Sequence, residues 1–163
     1  TGTAVAHCPC SNCRLGSGIA PVRAMRDAGV TVGLGVDGSA SNDQANLAQE
    51  ARQAMLLQRV AFGADKMSAR EALEIATLGG AKALGRSDVG RIRTGMRADL
   101  AVWDISSIES AGSWDAAAFL LAGPRRVKHL FVEGRQIVEE GRLTTIDVHR
   151  AVEQSVKAVK SLF

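Results

Sequence analysis

The chain has 163 residues, 46% of them apolar and 23% charged, with a formal net charge of +3. This is the composition of a globular chain long enough to bury a core, and it excludes a disordered one. The charge is small, the Lys and Arg residues are scattered, and aromatics make up 4% with no tyrosine, which argues against a nucleic-acid partner.

No apolar run approaches the roughly 20 residues a membrane span needs, so no membrane partner is expected. The opening residues 1–7 lack the basic-then-apolar layout of a signal peptide and read as a strand entered in mid-domain. The three cysteines all fall within Cys8-Pro9-Cys10-Ser11-Asn12-Cys13. An odd number spaced this tightly is a poor disulfide framework, and a reducing cytoplasm is expected. A structural zinc held by these thiols and His7 is disfavoured, because adjacent ligands strain to close a tetrahedron.

Residues 3–7 read as a strand end and residues 8–18 as a Ser-, Asn- and Gly-rich loop. Residues 19–28 read as a helix with Pro21 in its first turn and Gly29 as its stop. Residues 31–36 form the next strand, so strand, helix and strand make a βαβ unit with parallel neighbours. The glycines of Gly33-Leu34-Gly35 sit inside that strand and suit close backbone approach rather than a phosphate loop. Residues 44–62 have helical periodicity. Ser68 and Glu71 have capping-box spacing ahead of a helix over residues 69–84, weakened at Gly79-Gly80. From Gly85 onward, glycines punctuate short β-like runs at residues 98–103, 127–132 and 136–138. A hairpin turn is placed at Glu133-Gly134, and Trp103 and Trp114 are expected to sit in this β region. The tail carries an apolar helical stripe of Val148, Val152, Val156, Val159 and Phe163.

Asp37 is the most informative residue. It ends the apolar run Val32-Gly33-Leu34-Gly35-Val36 and is followed by Gly38-Ser39-Ala40-Ser41-Asn42-Asp43. A carboxylate at the C-terminal end of a buried parallel strand is where α/β barrels carry catalytic and metal-binding groups. Such a group needs a cation, a metal or several hydrogen bonds if it lies in a water-excluded pocket. On local sequence alone, Asp37 better suits an Asx turn with Ser39 or Ala40. His7 suits a strand-end histidine bonded to a carbonyl. Ser41 suits a helix cap ahead of Gln44, and Arg14 a solvated loop charge.

Four segments together resemble the amidohydrolase superfamily, in its aminohydrolase and chlorohydrolase branch. They are His7-Cys8-Pro9-Cys10-Ser11-Asn12 through Leu15-Gly16-Ser17-Gly18-Ile19-Ala20-Pro21; Gly33-Leu34-Gly35-Val36-Asp37-Gly38-Ser39-Ala40-Ser41-Asn42; Ala76-Thr77-Leu78-Gly79-Gly80-Ala81; and Val89-Gly90-Arg91-Ile92-Arg93-Thr94-Gly95-Met96-Arg97-Ala98-Asp99-Leu100. The resemblance implies an α/β chain: the C-terminal part of a (β/α)8 TIM-type barrel followed by the C-terminal share of a small β-sandwich. Residues 1–85 would supply the last barrel strands and helices, 86–145 the sandwich segment, and 146–163 a helix docking on the barrel.

The resemblance further implies hydrolytic deamination of an amino-substituted N-heterocycle, purine-like or triazine-like, by hydroxide on one divalent metal, zinc or alternatively iron. Asp37 would be metal ligand and proton shuttle, with Ser41 as a second catalytic contact. His7, Asn12, Arg14 and Ser39 would meet the heterocycle. The family's His-x-His pair, further histidines and acid Glu have no match among His7, His129 and His149. The missing N-terminal part of the same barrel is therefore an expected partner, alongside the small-molecule substrate and a second copy in a homo-oligomer. Chlorohydrolase or other amidohydrolase chemistry on the same site, and a non-catalytic fragment or assembly module, are the alternatives. A lone chain is expected to show no turnover.

Overall fold

The computed structural model describes residues 2–106, 108, 111, 112, 114–123 and 125–162. The chain divides into two compact units. One holds residues 1–96 and 105–125, the other residues 97–104 and 126–163.

In the first unit, β1 (Val5–His7) and β2 (Val32–Leu34) pair in parallel, with Val5 opposite Val32 and His7 opposite Leu34. The ladder extends at both ends, through Val5 N–H to Thr31 O and Gly35 N–H to His7 O, each at 2.9 Å. The parallel pairing follows from the short helix-containing crossover between the strands.

Residues 8–18 are not the expected loop. Pro9–Leu15 form a helix, α1, with proline at its first turn and Gly16 closing it at φ 64°. Proline lacks the N–H that a first helical turn leaves unpaired, and glycine takes the left-handed stop at little cost. Helix α2 (Val22–Asp27) begins after Pro21 rather than at Ile19, with Pro21 at its cap. Helix α3 (Leu47–Phe62) starts three residues later than the periodicity suggested, because Asn46 accepts from the N–H groups of Ala48 and Gln49. The cap therefore falls to Asn46 and not to Ser41.

The Ser68–Glu71 capping box forms as read and opens α4 (Ala69–Glu74). The expected continuous helix is then interrupted by a π-helical turn at Ile75–Gly79 before α5 (Gly80–Ala83). This interruption lies where the helix packs on the sheet. A Cβ on Gly79 would lie 2.1 Å from Val32 O, and one on Gly33 would lie 2.9 Å from Gly80 Cα. Helix and strand meet here backbone to backbone.

The core joins Val22, Val32, Ala51, Ala54, Met55, Met67, Ala72, Ile75 and Leu121. Full burial of a side chain such as Ile75 or Met67 contributes roughly 1.5–3 kcal/mol. Leu121 comes from α6 (Ala116–Ala122), capped by Asp115. Arg52 Nη1 donates to Leu121 O at 2.5 Å and Ala122 O at 2.7 Å, satisfying the open carbonyls at the end of α6. This helix was not foreseen, and residues 105–125 cluster with the α/β unit rather than with the strands around them. Trp114, within that stretch, is 95% exposed and does not sit in a β core.

The second unit is a four-stranded antiparallel sheet of β3 (Leu100–Trp103), β4 (Val127–Val132), β5 (Arg135–Glu139) and β6 (Arg142–Leu143), in that spatial order. The β4–β5 turn is at Glu133-Gly134, as read, with φ 51° and 82°, the mirror-image turn that suits twisted strands. Asp99 Oδ1 accepts from Glu133 N–H at 2.7 Å, tying this turn to the start of β3. Helix α7 (Val148–Lys160) is capped by Asp147 and has no buried residue. Its stripe of Val148, Val152, Val156 and Val159 is exposed; Phe163 lies outside the described residues. Among the described residues, no helix is long and apolar enough to cross a membrane.

Candidate active site

Asp37 stands three residues past the C-terminal end of β2, at φ 62°. A left-handed backbone is uncommon for a residue with a side chain, and it points to a position fixed by its surroundings. Two hydroxyls converge on one carboxylate oxygen: Ser11 Oγ donates to Asp37 Oδ2 at 2.5 Å and Ser41 Oγ donates to it at 2.9 Å. The Ser11 bond, then the Ser41 bond, then the Gly38 N–H hold the Asp37 carboxyl below its ordinary range. Neither serine uses Oδ1.

Ser11 is the first of two residues that the sequence did not mark. It lies on α1, 2% exposed, and could be placed only once residues 9–15 were known to be helical. Of the expected site residues, Ser41 is in direct contact with Asp37. Arg14 stands in the last turn of α1 and pairs with Asp43. Arg14 and Ser41 line one polar cleft of about 340 Å³ with Cys10, Asn42, Asp43, Gln44, Gln49 and Gln53. Asn12 is half-buried on α1, and Ser39 is exposed in the turn after Asp37.

His7 is buried, 3% exposed, and its Nε2 has no hydrogen-bond partner among the described residues. Burial pushes the imidazole below its ordinary value of 6.5, opposed by the nearby Glu50 carboxylate. Between the folded value and 6.5, the unfolded chain binds a proton that the folded chain refuses. Stability is thus fully present above 6.5 and is lost as pH falls through that window. Urea unfolding at pH 7.5 and 5.5 should show a lower midpoint at pH 5.5, and His7→Gln should remove the share of this fall that imidazole titration causes.

Glu50 is the second unforeseen residue. It is 1% exposed on α3. Its Oε1 accepts from Asn42 Nδ2 at 2.6 Å and its Oε2 from Cys10 N–H at 3.0 Å. Asn42 Nδ2 also donates to Val36 O at 2.7 Å. Burial, followed by the Glu50 hydrogen bond, pushes the Cys10 thiol up to about 12, so it is no nucleophile at neutral pH.

Asp37 is exposed in this chain, not enclosed in a water-excluded pocket. Among the described residues the sheet beside it has two strands, and no further strand shields the carboxylate. Nor do three or more His, Cys, Asp or Glu side chains come together to hold a metal among the described residues. Zinc takes about four ligands, and the geometry here fits one of them, a pre-oriented carboxylate. The three cysteines are free thiols.

Residues 1–137 match the amidohydrolase family. The chain belongs to that family. It is 42% identical over 162 residues to the 8-oxoguanine deaminase of Pseudomonas aeruginosa, covering 99% of this chain and 36% of that protein. It is 41% identical over 165 residues to a 5-methylthioadenosine/S-adenosylhomocysteine deaminase of Halobacterium salinarum, covering 99% of this chain and 38% of that one. The crystal structure of atrazine chlorohydrolase from Arthrobacter aurescens complexed with zinc superposes with a TM-score of 0.90 at 40% identity, over 96% of this chain and 36% of that one. This amidohydrolase chain thus spans little more than a third of the length of the relatives it matches.

Proposed function

We propose that this chain carries the Asp37 arm of a metal-dependent hydrolase that removes an amino group from a purine-like N-heterocycle such as 8-oxoguanine or guanine. In this reading β1 and β2 are the last two strands of a (β/α)8 barrel, and the remaining metal ligands come from the barrel part beyond this chain. The observation that carries it is the convergence of Ser11 and Ser41 on Oδ2 of a carboxylate at the C-terminal end of a parallel strand. A bound zinc, or iron in its place, would supply an acidified water as nucleophile.

The chain's own residues do the rest. Ser11 and Ser41 fix the Asp37 carboxylate and keep it ionised, which suits a metal ligand. An ionised carboxylate also accepts a proton and, being a weak base, gives it up readily to a departing amine. His7 ends β1, Asn12 and Arg14 lie on the segment after it and Ser39 on the segment after β2, and all four would offer donors to the ring's carbonyls and nitrogens. Matched polar contacts of that kind give strong discrimination between heterocycles. The similarity to atrazine chlorohydrolase favours a second reading on the same site, with chloride as the leaving group. The free thiols suit a cytoplasmic protein; a homo-oligomeric state rests on the family resemblance alone.

The test is a chimera in which this chain replaces the matching C-terminal segment of the Pseudomonas aeruginosa 8-oxoguanine deaminase. The zinc-loaded chimera should release ammonia from 8-oxoguanine or guanine, and the 163-residue chain alone should release none. A folded, zinc-loaded chimera that releases neither ammonia nor chloride from purines, aminotriazines or chlorotriazines would contradict the reading.

A further inference from the structure

The geometry points to Glu50 as the positioning residue of this site, a buried carboxylate that locks the two segments carrying the Asp37 contacts. Its functional weight rests on the reading above; the locking itself does not.

Glu50 lies near the N-terminal end of α3, 1% exposed. A charged side chain this deep is rare unless it is paired or fully hydrogen-bonded. Its partners come from both sides of Asp37. Oε2 takes the Cys10 N–H, in the first turn of α1, one residue before Ser11. Oε1 takes Asn42 Nδ2, one residue after Ser41. Asn42 carries the restraint further, donating to Val36 O at 2.7 Å and accepting from Gln44 N–H at 3.2 Å. One buried carboxylate thus fixes the residue before Ser11, the residue after Ser41 and the residue before Asp37. Both hydroxyls reach the same Asp37 oxygen because the segments bearing them are tied to a third point.

No alternative anchor of this kind joins the two segments among the described residues. The Arg14–Asp43 pair links the same regions, but its side chains are 51% and 72% exposed, and exposed pairs restrain weakly. Glu50 does not touch Asp37, so it acts through Cys10 and Asn42.

The variant Glu50→Gln keeps size but has one acceptor oxygen, so it can hold Cys10 N–H or Asn42 Nδ2 and not both. On the 163-residue chain, amide hydrogen exchange should speed up about tenfold or more at Cys10, Ser41 and Asn42, with Ala51, Ala54 and Ala72 unchanged. An equal rise at all six amides, or none at any of Cys10, Ser41 and Asn42, would overturn the inference, because Glu50 would then serve only general stability or nothing. In the chimera, Glu50→Gln should lower kcat about tenfold or more with KM little changed, whereas Val22→Ala, a core truncation away from the site, should leave kcat unchanged. Equal kcat in wild type and Glu50→Gln would also overturn it. A chimera inactive with wild-type Glu50 would sink the functional reading instead, and the exchange pattern would still decide whether Glu50 locks the loops.

Discussion

Asp37→Asn in the zinc-loaded chimera is expected to lower kcat/KM by about 10²–10⁴-fold, the range lost when a positioned acid–base group is removed. The substitution is close to isosteric. An asparagine oxygen still accepts from Ser11 and Ser41, which now converge on Oδ2, so the local fold should hold and the melting temperature should change little. What disappears is the negative charge that would face a divalent ion and the group that would carry a proton in the proposed reaction. Zinc content measured on the same preparation should fall as well. The exposure of Asp37 in this chain sharpens the expectation. The carboxylate contributes little here to burial or packing, so a large loss of activity would report its chemistry and not the fold. Activity within a few-fold of wild type would remove Asp37 from the mechanism.

Gly79→Ala should be the most destabilising small substitution in the first unit, costing about 3 kcal/mol. The added Cβ would lie 2.1 Å from Val32 O, and a backbone oxygen inside a strand cannot swing aside as a side-chain tip would. Relief would require the π-helical turn to withdraw from β2, opening the core at Ile75 and Val32. Gly80→Ala is the matched control: nothing lies within 4 Å of its Cβ. Its backbone is helical at φ −60° and ψ −46°, so the change should be neutral or stabilising by up to about 1 kcal/mol. Urea unfolding of both variants reads the contrast. Similar midpoints for the two would show that the helix and the strand do not meet backbone to backbone.

These two predictions show how far the sequence could be read. Asp37 was legible because strand patterning ends on it and small polar residues follow, and the Ser68–Glu71 box and the Glu133-Gly134 turn were legible from local chemistry. Helix α1 was hidden because Ser, Asn and Gly are the commonest loop residues. Its helical signals, proline at the start and glycine past the end, occupy single positions. With α1 unseen, Ser11 had no assigned direction and stayed off the site. Glu50 was hidden for another reason: helical periodicity marks apolar faces, and a carboxylate on the buried side looks like a break in the pattern until its partners, 8 and 40 residues away in sequence, are known. Whether Asp37 is enclosed or exposed is not legible, because a strand's own sequence does not reveal how many strands flank it.

Whether Asp37 ligates the proposed metal is decided by anomalous diffraction at the zinc edge from crystals of the loaded chimera. A peak about 2.0–2.2 Å from an Asp37 carboxylate oxygen, the ordinary zinc–carboxylate distance, is predicted. A fully coordinated zinc elsewhere in the chimera, with both Asp37 oxygens left to solvent, would contradict it.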